Sequence, residues 1–288
     1  NIEVNHHDIG FLYTLSTVPA WKLTGDKTAR ATALHAADRL ADRYKPAGRF
    51  IQAWWDLDNP KENRLIIDSL MNLPLLYWAS RETQNPRYQQ IAENHLATLL
   101  TCIIRPDDST YHTYYFDPAT GAPTHGTTHQ GFSDDSCWSR GQAWGIYGLA
   151  LARRRVSQTL ALTLAQERVT GYFLKHLPPD HVCYWDLVFT SGPEPRDSSA
   201  AAITTCGLLE TIAHLQPGLQ RTRYEHAAHA ILRSLINNYA ATPAEDGLLL
   251  HGVYSKPHDS GVDECCNWGD YYYLEALVRL LKNWDPYW

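Results

Sequence analysis

The chain has 288 residues and a formal net charge of -6. This length is enough to bury a sizeable core, as one large domain or two small ones. Because no Gly/Ser-rich run or charge block divides the chain, we expect a single domain over residues 1–288. The acidic balance disfavours nucleic acid as a partner. No apolar run reaches transmembrane length, so no membrane-spanning helix is expected.

Six cysteines stand at positions 102, 137, 183, 206, 265 and 266. Most lie in apolar or helix-like runs, which is typical of buried free thiols in a reduced compartment. We therefore expect a cytoplasmic protein, although a leader upstream of the given sequence stays an open alternative. The spacing of these cysteines matches no zinc site, and we expect neither a metal nor another cofactor.

Apolar side chains recur at helical spacing in nine segments, at about residues 11–23, 26–40, 64–81, 86–104, 136–154, 157–176, 197–215, 219–240 and 268–284. Asp26 is expected to cap the second of these helices, and Ser136 or Asp135 the fifth. Pro74 predicts a kink in the third. The aromatic run Tyr111–Phe116 and the turn-rich residues after it predict a small β-hairpin over about residues 111–126.

Helices joined by long and short connections, without strand–helix alternation, predict an all-α architecture of helical hairpins. Both a closed toroid and an open solenoid satisfy that pattern. Clusters of polar and aromatic residues precede the helix starts, which favours a closed α/α barrel with these loops converging into one cleft at one end.

The stretch Thr128–Trp144 concentrates chemically active side chains: His129, Gln130, Trp138, Arg140 and Trp144. On a helix, Arg140 and Trp144 are four residues apart and stand on one face near the N-terminus. A cation, an indole and free backbone N–H groups suit a ring that bears a carboxylate. The plainer alternative is a capped helix that buries its tryptophans.

Two aspartates are candidate catalytic acids. Asp68 lies among aliphatic residues in the run Ile66–Pro74, and desolvation there would favour the protonated form that a general acid needs. Asp8 follows two histidines and precedes an apolar helix. Each could instead be an ordinary helix N-cap. Carboxylates in two separate loops suggest glycoside chemistry only weakly, and the His6-His7-Asp8 run lacks the further ligands of a metal site.

Several short motifs together resemble the unsaturated glucuronyl hydrolases of glycoside hydrolase family 88. These motifs follow one another along nearly the whole chain, so the complete set is far more specific than any single motif. They are residues His6–Phe11, Ile51–Trp54, Ile67–Asp68, Met71–Pro74, Tyr111–Thr113, Thr128–Gly131, Trp138–Trp144, Arg196–Ala200 and Trp268–Leu277.

The resemblance implies an (α/α)6 barrel that removes a 4,5-unsaturated uronic acid from the non-reducing end of lyase-made oligosaccharides. In such enzymes an acid protonates C4 of the vinyl ether, water adds at C5, and the hemiketal opens. By the same resemblance Asp68 is the acid/base and Asp8 the second essential acid. The implied substrate-binding residues are Trp54, His112, His129, Gln130, Trp138, Arg140 and Trp144. Arg140 with His129 or His112 would neutralise the uronate carboxylate.

Two departures from the family pattern leave alternatives open. Members carry about three helices before the His-His-Asp motif, so this chain is expected to be a fragment, to associate with another chain, or to be an inactive sugar-binding remnant. Members that prefer sulfated sugars carry Ser-x-x-Ser-x-Lys where this chain has Gly252–Pro257, so no sulfate preference is predicted. Hydrolysis of unsaturated rhamnogalacturonan products, as in the related family 105, is the nearest alternative activity.

Overall fold

The computed structural model describes residues 4–156, 159–283 and 287–288. Ten α-helices occur in these residues: α1 (Ile9–Thr14), α2 (Thr17–Thr24), α3 (Lys27–Ala41), α4 (Leu73–Thr83), α5 (Pro86–Cys102), α6 (Ser139–Arg155), α7 (Leu160–Lys175), α8 (Ser198–Ala213), α9 (Leu219–Ser234) and α10 (Asn267–Leu281). None of them is both long and apolar enough to cross a membrane.

The helices form an inner and an outer layer. Helices α1, α4, α6, α8 and α10 pack side by side in succession, while α3, α5, α7 and α9 pack outside them as hairpin partners. Helices α6 and α8 are buried around most of their circumference, as expected for the inner layer. Their close approach depends on glycine: a Cβ at Gly207 would lie 2.9 Å from the backbone of Tyr147.

In the described ranges, seven short strands lie in the connections between helices. Strands β1 (Tyr44–Lys45) and β2 (Phe50–Ile51) pair, and β3 (Arg64–Ile66), β4 (Thr113–Phe116) and β5 (Pro123–Thr127) form an antiparallel sheet in that order. Strands β6 (Gly252–Ser255) and β7 (Ser260–Glu264) form a hairpin just before α10. These strands give fixed positions to the loops that carry the candidate site.

Several expectations are confirmed. The β4–β5 hairpin lies where the aromatic run predicted it, and Asp26 caps α3 by accepting the N–H of Thr28 at 2.8 Å. Helices α3, α5, α8 and α9 begin within about two residues of the predicted starts. The predicted sixth helix began at Ser157, which lies outside the described residues, as does the predicted end of the last helix at Trp284.

Three predictions about the first and third predicted helices are wrong. The first predicted helix is two helices, separated at Leu15 and Ser16. The third begins as strand β3, because its residues pair with β4, and continues as a 3-10 helix over Ile67–Asn72 before α4 starts. Pro74 therefore lies in the first turn of α4, where its missing N–H costs little, and causes no kink.

The start of α6 was also predicted wrongly. Neither Ser136 nor Asp135 caps it, because the helix begins at Ser139 and Trp138 occupies the cap position without a side-chain hydrogen bond. The Ser136 hydroxyl instead donates to Asp186 Oδ2 at 2.6 Å. The Ser139 N–H donates to the carbonyl of Trp185 at 3.2 Å, so a neighbouring loop rather than a cap residue occupies this helix end.

Candidate active site

A cleft of about 430 Å³ opens where the loops before α1, α4 and α10 meet the loop after β5. It collects residues that are far apart in sequence, and four of the nine predicted site residues line it: Asp8, Trp54, His129 and Gln130. The other lining residues are His6, Trp55, Arg64, Tyr254, Ser255, His258 and Ser260.

A larger cavity of about 680 Å³ lies elsewhere, between the C-terminal parts of α6, α8 and α10. It contains none of the predicted site residues. Its central carboxylate, Glu210, is paired with Arg154, His214 and Arg279. Because the predicted site residues lie around the smaller cleft and none lines this cavity, the smaller cleft is the better candidate for an active site.

The two candidate acids lie on either side of a buried histidine; Asp8 lines the cleft, and Asp68 lies behind it, outside the lining. His7 Nε2 is 3.3 Å from Asp8 Oδ1 and 3.2 Å from Asp68 Oδ1. His6 Nδ1 contacts the other oxygen of Asp8 at 3.0 Å. Asp8 stands at the N-cap position of α1 but makes no side-chain capping bond, so the plain N-cap interpretation does not account for it.

The surroundings of this cluster shift its protonation equilibria. Burial by itself lowers the pKa of His7, but the charges of Asp68 and Asp8 outweigh burial and raise the pKa above its ordinary value. Burial raises the pKa of Asp8, whereas the hydrogen bond from His6 and the charge of His7 lower it below its ordinary value on balance. The cluster therefore favours an imidazolium beside an ionised Asp8.

Asp68 is less enclosed than its sequence neighbours suggested. Ile67, Leu70 and Met71 of the 3-10 helix are buried. A quarter of the Asp68 side chain is exposed (25%), its Oδ1 atom is buried, and His7 is its charged neighbour. The aliphatic neighbours in sequence therefore leave part of this carboxyl group open to solvent.

His112 lies buried behind the cleft wall. Its Nδ1 accepts the backbone N–H groups of His129 at 3.0 Å and of Gln130 at 3.2 Å. Burial, followed by the charges of His129 and Arg140, lowers the pKa of His112 well below its ordinary value. Nδ1 accepts, so the proton of this neutral imidazole is on Nε2. The ring packs on Trp138 with centroids 4.3 Å apart. Both residues support the loop rather than line the cleft.

The loop that carries His129 and Gln130 is fixed by two acids. Asp134 Oδ1 accepts the N–H of Thr128 at 2.7 Å. The fully buried Asp186, from the loop after α7, accepts the N–H of Phe132 at 2.9 Å and of Cys137 at 3.2 Å. Asp186 was not singled out in the sequence, since only its position after Tyr184-Trp185 marked it as part of an aromatic loop.

Arg140 is placed differently from the expectation. Its guanidinium is buried and pairs with Asp197 Oδ2 at 3.1 Å. It also donates to the carbonyl of Val253 and, at 2.7 Å, to that of Tyr254. Arg140 therefore holds the β6–β7 hairpin, because it donates to a buried acid and to carbonyl groups of strand β6. In this geometry Arg140 does not point its donors at a substrate carboxylate.

Trp144 also lies off the cleft lining. It is half-buried on α6, edge-on to Tyr272 with ring centroids 5.3 Å apart. The i, i+4 spacing of Arg140 and Trp144 is present, but the loop at the start of α6 and the β6–β7 hairpin cover that helix face.

Two residues that the sequence analysis did not name bring positive charge or imidazole to the cleft. The guanidinium of Arg64 lies 4.5 Å over the Trp54 ring and hydrogen-bonds to Glu62 and Tyr115. The His258 ring lies 4.8 Å from that of His129, and its Nδ1 is 2.7 Å from Ser255 Oγ. Arg64 lies two positions before the Ile66-Ile67-Asp68 run, and this closeness to a candidate acid was the only sequence signal for it.

The donor atoms of His7, Asp8 and Asp68 lie within 4.8 Å of one another, so among the described residues this group is the one whose donor types fit a cation. A metal-bound imidazole must give up its proton. The two carboxylates raise the pKa of His7, so a cation at this place would have to displace the proton of its imidazolium form.

Comparisons with known proteins agree with this geometry. The model of Glycosyl Hydrolase Family 88 matches residues 1–285. An unsaturated chondroitin disaccharide hydrolase of Streptococcus pneumoniae is 50% identical, over 100% of this chain and 73% of that protein. A crystal structure of an unsaturated glucuronyl hydrolase from Streptococcus agalactiae is 46% identical with a TM-score of 0.95, over 99% of this chain and 72% of that one.

A variant of the Streptococcus agalactiae enzyme, solved in complex with dGlcA-GalNAc6S, is 43% identical with a TM-score of 0.86, over 100% of this chain and 72% of that one. Paired carboxylates and aromatic side chains at one end of a ring of helical hairpins define the class: a glycoside hydrolase of the all-α, (α/α)6-barrel type. The chain belongs to Glycosyl Hydrolase Family 88.

Proposed function

We propose that this protein removes a 4,5-unsaturated uronic acid from the non-reducing end of glycosaminoglycan oligosaccharides made by lyases. One observation carries the proposal: Asp8 lines a cleft together with Trp54, His129 and Gln130, and Asp68 lies next to Asp8 on the other side of His7. The relatives named above, which act on unsaturated chondroitin or glucuronyl sugars, support the same substrate class.

In the proposed reaction Asp68 donates a proton to C4 of the vinyl ether and water adds to C5. The hemiketal that forms opens, and the glycosidic bond breaks as a consequence. Asp68, now a carboxylate, accepts the proton of the attacking water and is restored. The carboxylate-separation rule for retaining and inverting glycosidases does not apply, because the anomeric carbon is not attacked.

The cleft offers matching groups for a flat, anionic sugar. The Trp54 indole offers an apolar surface to the sugar ring. The Arg64 guanidinium lies over the same indole and brings a positive charge to the cleft. His129 and Gln130 line the same cleft as hydrogen-bonding side chains.

We assign recognition of the uronate carboxylate to Arg64 and His129, which line the cleft, in place of Arg140, which is buried on Asp197. Arg64 would supply the positive charge although it also pairs with Glu62, and His129, whose pKa burial lowers, would supply a hydrogen bond as a neutral imidazole.

The test is to incubate the protein with an unsaturated chondroitin disaccharide and follow the ultraviolet absorbance of its conjugated double bond. The proposal predicts that the absorbance is lost, with release of a free amino sugar. Unchanged absorbance for chondroitin, hyaluronan and heparin disaccharides, with folded protein, would contradict it. Loss confined to unsaturated rhamnogalacturonan products would favour the family 105-like activity.

The location of the protein is part of the proposal. All six cysteines are free thiols, four of them buried. This supports a cytoplasmic protein, in which reduced thiols persist. The corresponding partner is a small uronyl oligosaccharide that has already entered the cell. Fractionation of the native cells tests this, since activity in the culture medium or the membrane pellet would contradict it.

A further inference from the structure

His7 occupies an unusual place beside the two candidate acids. Its side chain is fully buried, and Nε2 lies between Asp68 Oδ1 at 3.2 Å and Asp8 Oδ1 at 3.3 Å. The backbone fixes this position, because the His7 N–H donates to the carbonyl of Ala53 at 2.8 Å and the His7 carbonyl accepts from Gly10 at 3.0 Å. Nε2 is therefore held close to one oxygen of each carboxylate, with neither contact aligned as a hydrogen bond in this structure.

The other charged or titratable groups around His7 are Arg43, His95 and His112. Arg43 opposes a proton on His7, but the two carboxylates outweigh it. His95 is neutral, because burial and then the charge of His7 lower its pKa to about 3. His112 is neutral as well. Among these imidazoles His7 is the one whose surroundings favour a proton.

The reaction needs a proton on a carboxyl group near neutral pH, yet an ordinary aspartate loses its proton at about pH 4. The charged neighbour of the Asp68 carboxyl is His7, at 3.2 Å. When two close groups share one proton, however, the proton is lost with an affinity that belongs to the pair. A proton held between His7 and Asp68 stays in the site to a higher pH than a proton on aspartate alone.

We propose that His7 is a positioning residue that stores the catalytic proton for Asp68. The inference rests on the proposed function. The proton moves from Nε2 to Asp68 Oδ1 and then to C4 of the sugar. The oxygen of water bonds to C5, and the proton released by that water returns through Asp68 to Nε2. One water is consumed and the protein ends each cycle with the protons it began with.

The test is His7→Gln, because the glutamine amide nitrogen reaches about the place of Nε2 but does not titrate. Catalysis by Asp68 then depends on its own titration. We expect the alkaline limb of the kcat/KM pH profile to move to lower pH by more than about one unit, with activity recovering toward wild type in acid. The matched control is His35→Gln, an exposed histidine of α3 outside the cleft lining, which should leave that limb in place.

A His7→Gln protein whose activity is reduced equally at every pH would overturn the storage role and leave only a structural one. Failure of the proposed function looks different, since the wild-type protein would then be inactive on unsaturated uronyl sugars at every pH.

A second measurement does not depend on folding of the His7 variant. In ¹⁵N-histidine NMR spectra of the wild type, we expect one imidazole to titrate above the ordinary histidine value of about 6.5. In Asp68→Asn, which removes one carboxylate, that titration should move to lower pH. A wild type in which no histidine titrates above that value, or a titration that Asp68→Asn leaves in place, would contradict the proposal.

Discussion

Asp8 and Asp68 contact the same imidazole, but their other surroundings differ. Asp8 also contacts His6, and its ionised form is favoured on balance. Asp68 has His7 alone as its charged contact among the described residues. Two carboxyl groups with different environments suit two roles. We assign proton transfer to Asp68, and to Asp8 a constant negative charge that keeps the proton on His7 and binds the sugar.

The first residue-scale prediction concerns Asp68→Asn. The amide keeps the shape of the side chain but cannot donate a proton to carbon, so turnover should fall by about 10²–10⁴-fold or more. Binding of the unsaturated disaccharide should be largely kept, since the cleft lining is unchanged. Absorbance assays and calorimetry measure the two quantities. Near-wild-type turnover would show that the acid has been assigned to the wrong residue.

At the scale of elements, the β6–β7 hairpin forms one wall of the cleft. Two side chains from the Thr128–Trp144 stretch hold it: Gln130 Nε2 donates to the carbonyl of Tyr254 at 2.7 Å, and Arg140 donates to the same carbonyl. Asp197, at the start of α8, completes the link by pairing with Arg140 and accepting the N–H of Ser199. Changes at Arg140 therefore act on the position of the hairpin.

The prediction at this scale is that Arg140→Met lowers the free energy of unfolding by about 3–5 kcal/mol, because Asp197 would remain buried without its cation. Arg87→Met is the matched control: Arg87 pairs with Asp42 on the surface, both about half exposed, and its loss should change the free energy by at most about 1 kcal/mol. Urea unfolding measures both. Equal stability of the two variants, with only KM raised for Arg140→Met, would instead support a direct carboxylate contact.

Sequence patterns predicted those helices and strands that are stabilised by interactions between residues close in sequence. The apolar spacing and the Asp26 cap predicted α3, and the aromatic run predicted β4. Residues Arg64–Ile66 were predicted as helix because their apolar spacing suits one. They form a strand because β4 pairs with them from about 50 residues further along the chain, and no local pattern shows such a partner.

At the scale of the whole molecule, the ordered motifs predicted the family and the helical-hairpin ring, since they mark loops at one end of the inner helices. They also predicted that Asp8, Trp54 and His129 share a cleft. They did not predict Arg64 or His258 in it, nor the buried position of Arg140. Those outcomes depend on which residues of the converging loops reach the surface of the cleft. Packing across the whole chain decides this.

The most direct test of the account is to run the reaction in D₂O and examine the first product by NMR. If Asp68 delivers a solvent-derived proton to the double bond, the released uronic acid carries deuterium at C4, and its alkene signal is gone. A free sugar that keeps the double bond and carries no deuterium at C4 would mean that the glycosidic bond is cleaved directly, and would contradict the roles assigned to Asp68 and His7.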